Sequence, residues 1–150
     1  MIQSVNEQEY VFASNTDALK FSTTDLRTRS ASCQFPGWLN HNEGSASFEI
    51  LNGGIYEIKF NANITSGTAG QVGLALFGDG VQIIGTEADA TIGTVGEYEN
   101  ISINKTIRVC GRSNATLSIQ SVPNIVYDET TTDTQIPIVK NANIVITRIA

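Results

Sequence analysis

The sequence predicts an all-β fold, a two-sheet antiparallel β-sandwich of the jelly-roll kind with about eight strands. Three observations predict it. Apolar and polar residues alternate with a period of two along much of the chain. The alternating runs are separated by Gly, Asn and Asp turns at roughly 8–12-residue spacing. Ile, Val, Thr, Asn and Gly are abundant while strong helix formers are scarce, a balance that favours strands and turns. No internal repeat is visible, which argues against a solenoid or propeller.

The clearest element runs from Gly54 to Thr65. Tyr56, Ile58, Phe60, Ala62 and Ile64 alternate with Glu57, Lys59, Asn61, Asn63 and Thr65. Strand side chains point to opposite faces with period two, so one face is apolar and the other wet. About 11 residues at ~3.3 Å each cross a whole domain. Four large apolar side chains at ~1.5–3 kcal/mol each contribute about 6–12 kcal/mol gross, comparable to a domain's net stability.

The other elements follow in order. Residues 1–17 are polar apart from Tyr10, Val11, Phe12 and Ala13, which suit either a short edge strand or an anchor ordered on a partner surface. Residues 18–33 form a strand candidate interrupted at Thr23-Thr24-Asp25, where a bend or bulge is expected. Residues 34–43 read as a loop; Trp38 in it is expected to plug one end of the core, and His41 to be an ordinary surface side chain. Ala46, Phe48 and Ile50 alternate again, and Asn52-Gly53-Gly54 is expected to close a hairpin into the long strand. Residues 71–77 are apolar on both faces, so both are expected to be covered. Gly78-Asp79-Gly80 predicts a tight hairpin returning through residues 81–86, and residues 87–98 read as a small-residue connection. In the next strand, Asn100 to Cys110, Lys105 shares the phase of Ile101, Ile103, Ile107 and Val109, which implies a bulge, an exposed segment or an ion pair with a partner chain. Ala115 to Gln120 alternates, residues 121–141 form a polar excursion, and Asn143 to Ile149 is a strand apolar enough to belong inside a sheet.

These motifs together resemble the C1q/TNF-like jelly rolls. The resemblance lies in Gly54-Ile-Tyr-Glu-Ile-Lys-Phe60, Leu76-Phe-Gly-Asp-Gly-Val-Gln-Ile-Ile-Gly-Thr86, Ala115-Thr-Leu-Ser-Ile119 and Ala142-Asn-Ile-Val-Ile-Thr-Arg-Ile149, in that order. The opening Leu19-Lys-Phe-Ser-Thr-Thr-Asp-Leu-Arg-Thr-Arg29 is similar to the same group's first strand. The match is nearest the bacterial and bacteriophage surface-protein branch, although no collagen-like Gly-X-Y tract is present. The resemblance covers residues 18–150 and implies a homotrimer packed around a three-fold axis.

At 150 residues the chain fits one domain, with residues 1–17 as an N-terminal docking segment and 18–150 as the jelly roll. A net charge of −6 disfavours nucleic acid and anionic membrane surfaces, and no run reaches the ~18 apolar residues of a transmembrane helix. Residues 1–9 lack the basic and apolar regions of a signal peptide, so synthesis in a bacterial host cytoplasm is expected. In that compartment Cys33 and Cys110 are expected as free, largely buried thiols.

No catalytic template is met. The only histidine, His41, has no nucleophile placed beside it by sequence, and Glu87/Asp89 and Asp128-Glu129 lie in apparent polar loops. A calcium ion held by those acids would lack any EF-hand spacing. The reading is therefore a non-enzyme without catalytic residues, cofactor or metal. The leading expectation is a structural protein on a bacteriophage virion surface, a capsid-decorating or head-fibre trimer docked on the major capsid or another virion protein through Tyr10, Val11 and Phe12. The alternatives are a fibre-tip module binding host surface glycan through loops around Trp38, Tyr98 and Tyr127, or a bacterial cell- or spore-surface component.

Overall fold

The computed structural model describes residues 2–6, 8–13, 17–26, 37–111, 115–122 and 136–150. Among them the chain forms twelve strands and no helix. They are β1 (Ile2–Asn6), β2 (Tyr10–Val11), β3 (Thr23–Leu26), β4 (Leu39–Asn40), β5 (Phe48–Ile50), β6 (Gly54–Ser66), β7 (Gly70–Gly78), β8 (Val81–Gln82), β9 (Ala88–Ile92), β10 (Glu99–Val109), β11 (Ala115–Ser121) and β12 (Pro137–Arg148).

Two antiparallel sheets result. The first has the order β10-β6-β12-β1-β3, with β2 also paired to β12. The second has the order β4-β5-β11-β7-β8, with β9 also paired to β7. The last strand, β12, sits inside its sheet between β6 and β1, which covers both of its edges.

The predicted alternation of β6 holds: Tyr56, Ile58, Phe60, Ala62 and Ile64 are all buried. Ile144 and Ile146 of β12 and Ile101 and Ile103 of β10 extend that face, and Phe48, Leu74, Leu76, Leu117 and Ile119 meet it from the other sheet. Phe21 links the two layers, edge-on to Phe48 at 5.3 Å and to Phe60 at 6.5 Å. Residues 72–76 of β7 are buried on both faces, matching their unbroken apolar run.

Several expectations are corrected. Asn52-Gly53-Gly54 closes no hairpin, because β5 and β6 belong to different sheets. A two-residue Asn-Gly turn needs positive φ at both residues, and neither Asn52 nor Gly53 has it. The link instead crosses between layers, and Gly53 passes so close to Gly111 that an added Cβ would lie 2.5 Å from its Cα. Residues 88–92 of the supposed connection form β9. The β10–β6 register runs unbroken from Glu99↔Ile64 to Val109↔Gly54, so Lys105 sits on no bulge. It is half-buried because β10 is the edge strand of its sheet.

The polar excursion ends earlier than expected, since β12 starts at Pro137. Proline is tolerated as the first residue of a strand. A bulge between Lys140 and Asn143, with Asn141 at φ 53°, breaks the two-residue phase there. β1 pairs with β12 on one side of this bulge and β2 on the other. Within the stretch expected as a docking segment, β1 is an interior strand, and Ile2 and Phe12 are core residues.

Candidate functional site

The three candidate anchors have different fates. The Phe12 ring is 2% exposed and packs edge-on against Tyr10 at 5.2 Å. Tyr10 is half-buried, and its hydroxyl donates to Asp17 Oδ2 at 2.9 Å and lies 3.1 Å from the Ala18 carbonyl. Burial, then that hydrogen bond and the charge of Asp17, push the Tyr10 phenol up to about 12. Burial pushes the Asp17 carboxyl up, but the Ala13 N–H, the Tyr10 hydroxyl, the Ala18 N–H and the charge of Lys20 together bring it below its ordinary value. Phe12 is thus part of the core, and Tyr10 is half-buried against it. Val11 alone points outward, 58% exposed, on a depression of about 290 Å³ that it shares with Phe12, Gly67, Thr68, Ile136 and Ile138.

The two described aromatics of the ligand-loop set do not meet. Trp38 is half-buried on the ring of Tyr56, with centroids 5.4 Å apart, and so closes one end of the core. Tyr98 precedes β10, whose first residue pairs with Ile64 near the other end of β6. Tyr56 and Ile64 are about 26 Å apart at ~3.3 Å per residue. The Tyr98 hydroxyl donates to Glu9 Oε2 at 3.1 Å, and the Lys140 ammonium lies 4.8 Å from its ring centre. These contacts tie the β1–β2 connection to the start of β10. Tyr127, Asp128, Glu129 and Cys33 lie outside the described residues.

The surface that sequence reasoning passed over is the outer face of the first sheet. Its wet positions form cross-strand rows: Val5, Asn143, Asn61 and Ser102 in one, and Gln3, Val145, Lys59 and Asn104 in the next. Asn100 Nδ2 donates to Asn61 Oδ1 and Asn63 Oδ1, both at 3.1 Å. Gln3 Nε2 donates to Asn143 Oδ1 at 2.9 Å, and Lys59 pairs with Glu57 at 3.3 Å. A depression of about 420 Å³ lies among Lys59, Asn61, Ser102, Asn104, Asn143 and Val145. The amides satisfy one another laterally, leaving a broad β face of amides and hydroxyls. Each polar residue looked like ordinary solvent-facing filler, and only the register across four strands gathers them.

Three other residues complete the picture. Cys110 is free and exposed rather than buried, because it falls one residue past the end of β10. His41 is buried rather than on the surface. Burial, then the charge of Asp89, raise the Glu87 carboxyl. Among the described residues no group of three His, Cys, Asp or Glu side chains could hold a metal ion.

Solved structures share this arrangement over nearly the whole chain. The globular domain of the zebrafish complement 1qA protein matches with a TM-score of 0.62 at 11% identity, covering 99% of this chain and 96% of that one. The Eiger TNF of S. frugiperda matches with a TM-score of 0.63 at 7% identity, covering 100% and 92%.

The fold is a C1q/TNF-like jelly roll.

Murine APRIL is a further relative in shape, with a TM-score of 0.54, 9% identity and 95% coverage of both chains. No family model matches the chain, and no curated protein matches it. At these identities the C1q/TNF-like likeness carries the fold alone. The bacteriophage branch rests on the sequence motifs.

Proposed function

We propose that the chain is a non-enzymatic structural protein of a bacteriophage virion, a homotrimer displayed on the particle as a capsid decoration or head fibre. The observation that supports it is the outer face of the first sheet. Four strands present a continuous surface of amides and hydroxyls with Val5 and Val145 interspersed. Such a face, whose Lys59 and Glu57 are paired to each other within the chain, can exchange hydrogen bonds with a different face of a sister chain, as a three-fold ring requires. The C1q/TNF-like resemblance supplies the three-fold arrangement.

Attachment to the shell narrows to Val11 and its neighbour Ile136, because Tyr10 and Phe12 are held by the sandwich. Val11 and Ile136 border the same apolar depression, and both side chains are exposed. The test is mass spectrometry and immunogold labelling of particles purified from the phage that encodes the chain. Labelling on the particle surface is expected, and Val11→Asp with Ile136→Asp should abolish it while leaving the protein folded. Absence of the chain from purified particles refutes the reading.

A further inference from the structure

His41 is the only histidine in the chain and is 3% exposed. It follows β4 directly, and its ring lies flat on Phe48 of β5, with centroids 4.0 Å apart and planes 8° apart. Nδ1 sits 2.8 Å from the Ser47 carbonyl oxygen. A carbonyl only accepts, so Nδ1 carries the proton and Nε2 is the lone-pair nitrogen. Nε2 is buried without a hydrogen-bond partner among the described residues. A second proton would place an N–H⁺ there with nothing to accept from it, in a region that resists charge.

The neighbours do little to relieve that cost. Ser45 Oγ, 3.5 Å from Nδ1, already donates to the Asn42 carbonyl at 2.7 Å. Glu43 of the same loop acts on the ring through its charge and favours protonation. Glu49 of β5 lies between buried Phe48 and Ile50, so alternation turns it away from the ring, and Lys20 is exposed between buried Leu19 and Phe21. Burial is the largest influence and pushes the imidazole below its ordinary value, ahead of the Ser47 bond and Glu43, which raise it.

The segment around the ring is lightly held. Among the described residues β4 pairs only with β5, through Leu39↔Ile50 and Asn40↔Glu49, at the edge of the second sheet. β5 itself is held by β11, but the residues between β4 and β5 have single backbone bonds, Gly44 N–H to Phe21 O at 2.8 Å and Phe21 N–H to Ser45 O at 3.1 Å, and Leu51 N–H to Trp38 O at 2.8 Å ties down the residue before β4. Edge segments of this kind open locally before a sandwich unfolds.

We propose that His41 is an acid-operated latch: its neutral ring holds the corner of residues 37–47 closed on β5, and protonation opens that corner while β5 and the rest of the two sheets stay folded. The sign follows from linkage. An open corner exposes a histidine that takes up its proton near its ordinary value of about 6.5, whereas the closed corner resists it. The latch is fully closed above that value and loosens as pH falls from there towards the depressed one. Opening frees Trp38 from Tyr56, giving an acid-dependent aromatic surface.

The full-length wild-type protein tests this directly. With one histidine and one tryptophan in the chain, an NMR titration of the imidazole and the tryptophan fluorescence both report this corner. The expected results are an imidazole midpoint below 6.5 and a red shift of the emission between pH 7.5 and 5. After correction for intrinsic rates, amide exchange at Gly44 and Leu51 should accelerate at least tenfold, with β6 and β12 unchanged. His41→Phe keeps a ring on Phe48 and should remove the acid response. A midpoint at or above 6.5 overturns the latch, as does equal acceleration in β6 and β12 or an unaltered acid response in H41F. Should H41F fail to fold, the wild-type titration and exchange pattern decide alone.

Discussion

The Tyr10 hydroxyl donates to Asp17 Oδ2 at 2.9 Å and fastens the segment after β2 onto the sandwich. The same oxygen accepts from the Ala13 N–H at 2.9 Å, and Asp17 Oδ1 accepts from the Ala18 N–H at 2.9 Å. One ionised carboxylate thus joins Tyr10, Ala13 and Ala18.

Asp17→Asn keeps the shape and removes the charge from these bonds. A loss of about 1 kcal/mol is expected, the difference between charged and neutral hydrogen bonds. Because the Asp17 carboxyl is held below its ordinary value, its contribution is present above about pH 4 and fades as pH falls through the depressed value. Urea melts of wild type and D17N at pH 7 and pH 3 should therefore differ more at pH 7. An equal difference at both pH values contradicts the role.

Phe12 and Val11 are adjacent yet opposite in role. Phe12→Ala should cost about 3–5 kcal/mol, as expected for emptying a core aromatic site. Val11→Ser should cost under about 0.5 kcal/mol, as surface changes do. Equilibrium unfolding of both variants checks this, and a Phe12→Ala cost below 1 kcal/mol would return the ring to the surface.

The hairpin between β7 and β8 has positive φ at Asp79 (52°) and Gly80 (80°), the turn expected of an Asp-Gly pair. Asp79 Oδ1 also accepts from the Thr116 N–H at 2.9 Å, binding the turn to β11. Asp79→Ala loses that bond and strains the left-handed backbone, so about 2 kcal/mol should disappear. Asp79→Asn tolerates the backbone and keeps an acceptor, so under about 1 kcal/mol is expected. Thermal melts of the two variants should separate clearly.

Asn61 lies at the middle of the amide rows, where it accepts from Asn100. Asn61→Arg should keep the dichroism spectrum of a β protein but break association into single chains. Unchanged association would move the interface off this face.

The architecture was legible wherever burial and phase coincide. β6 could be read because from Tyr56 to Ile64 its inward residues are all apolar and its outward ones all polar. β1 could not, because its buried positions include Ser4 and Asn6; Asn6 is satisfied by the Lys20 carbonyl at 2.9 Å rather than by apolar contact. β12 was cut short because the Lys140–Asn143 bulge shifts its phase. The buried ring of His41 was hidden by Asn42, Glu43 and Gly44 beside it, which look like loop. The outer-face amide rows depend on register across four strands, and no local pattern encodes register.

Light scattering on the purified chain at micromolar concentration tests the central claim most directly. The outer face of the first sheet is expected to close on sister chains, so the molar mass should be three times the 16.1 kDa of one chain, falling to one chain in N61R. A well-folded wild-type protein with the mass of a single chain would contradict it.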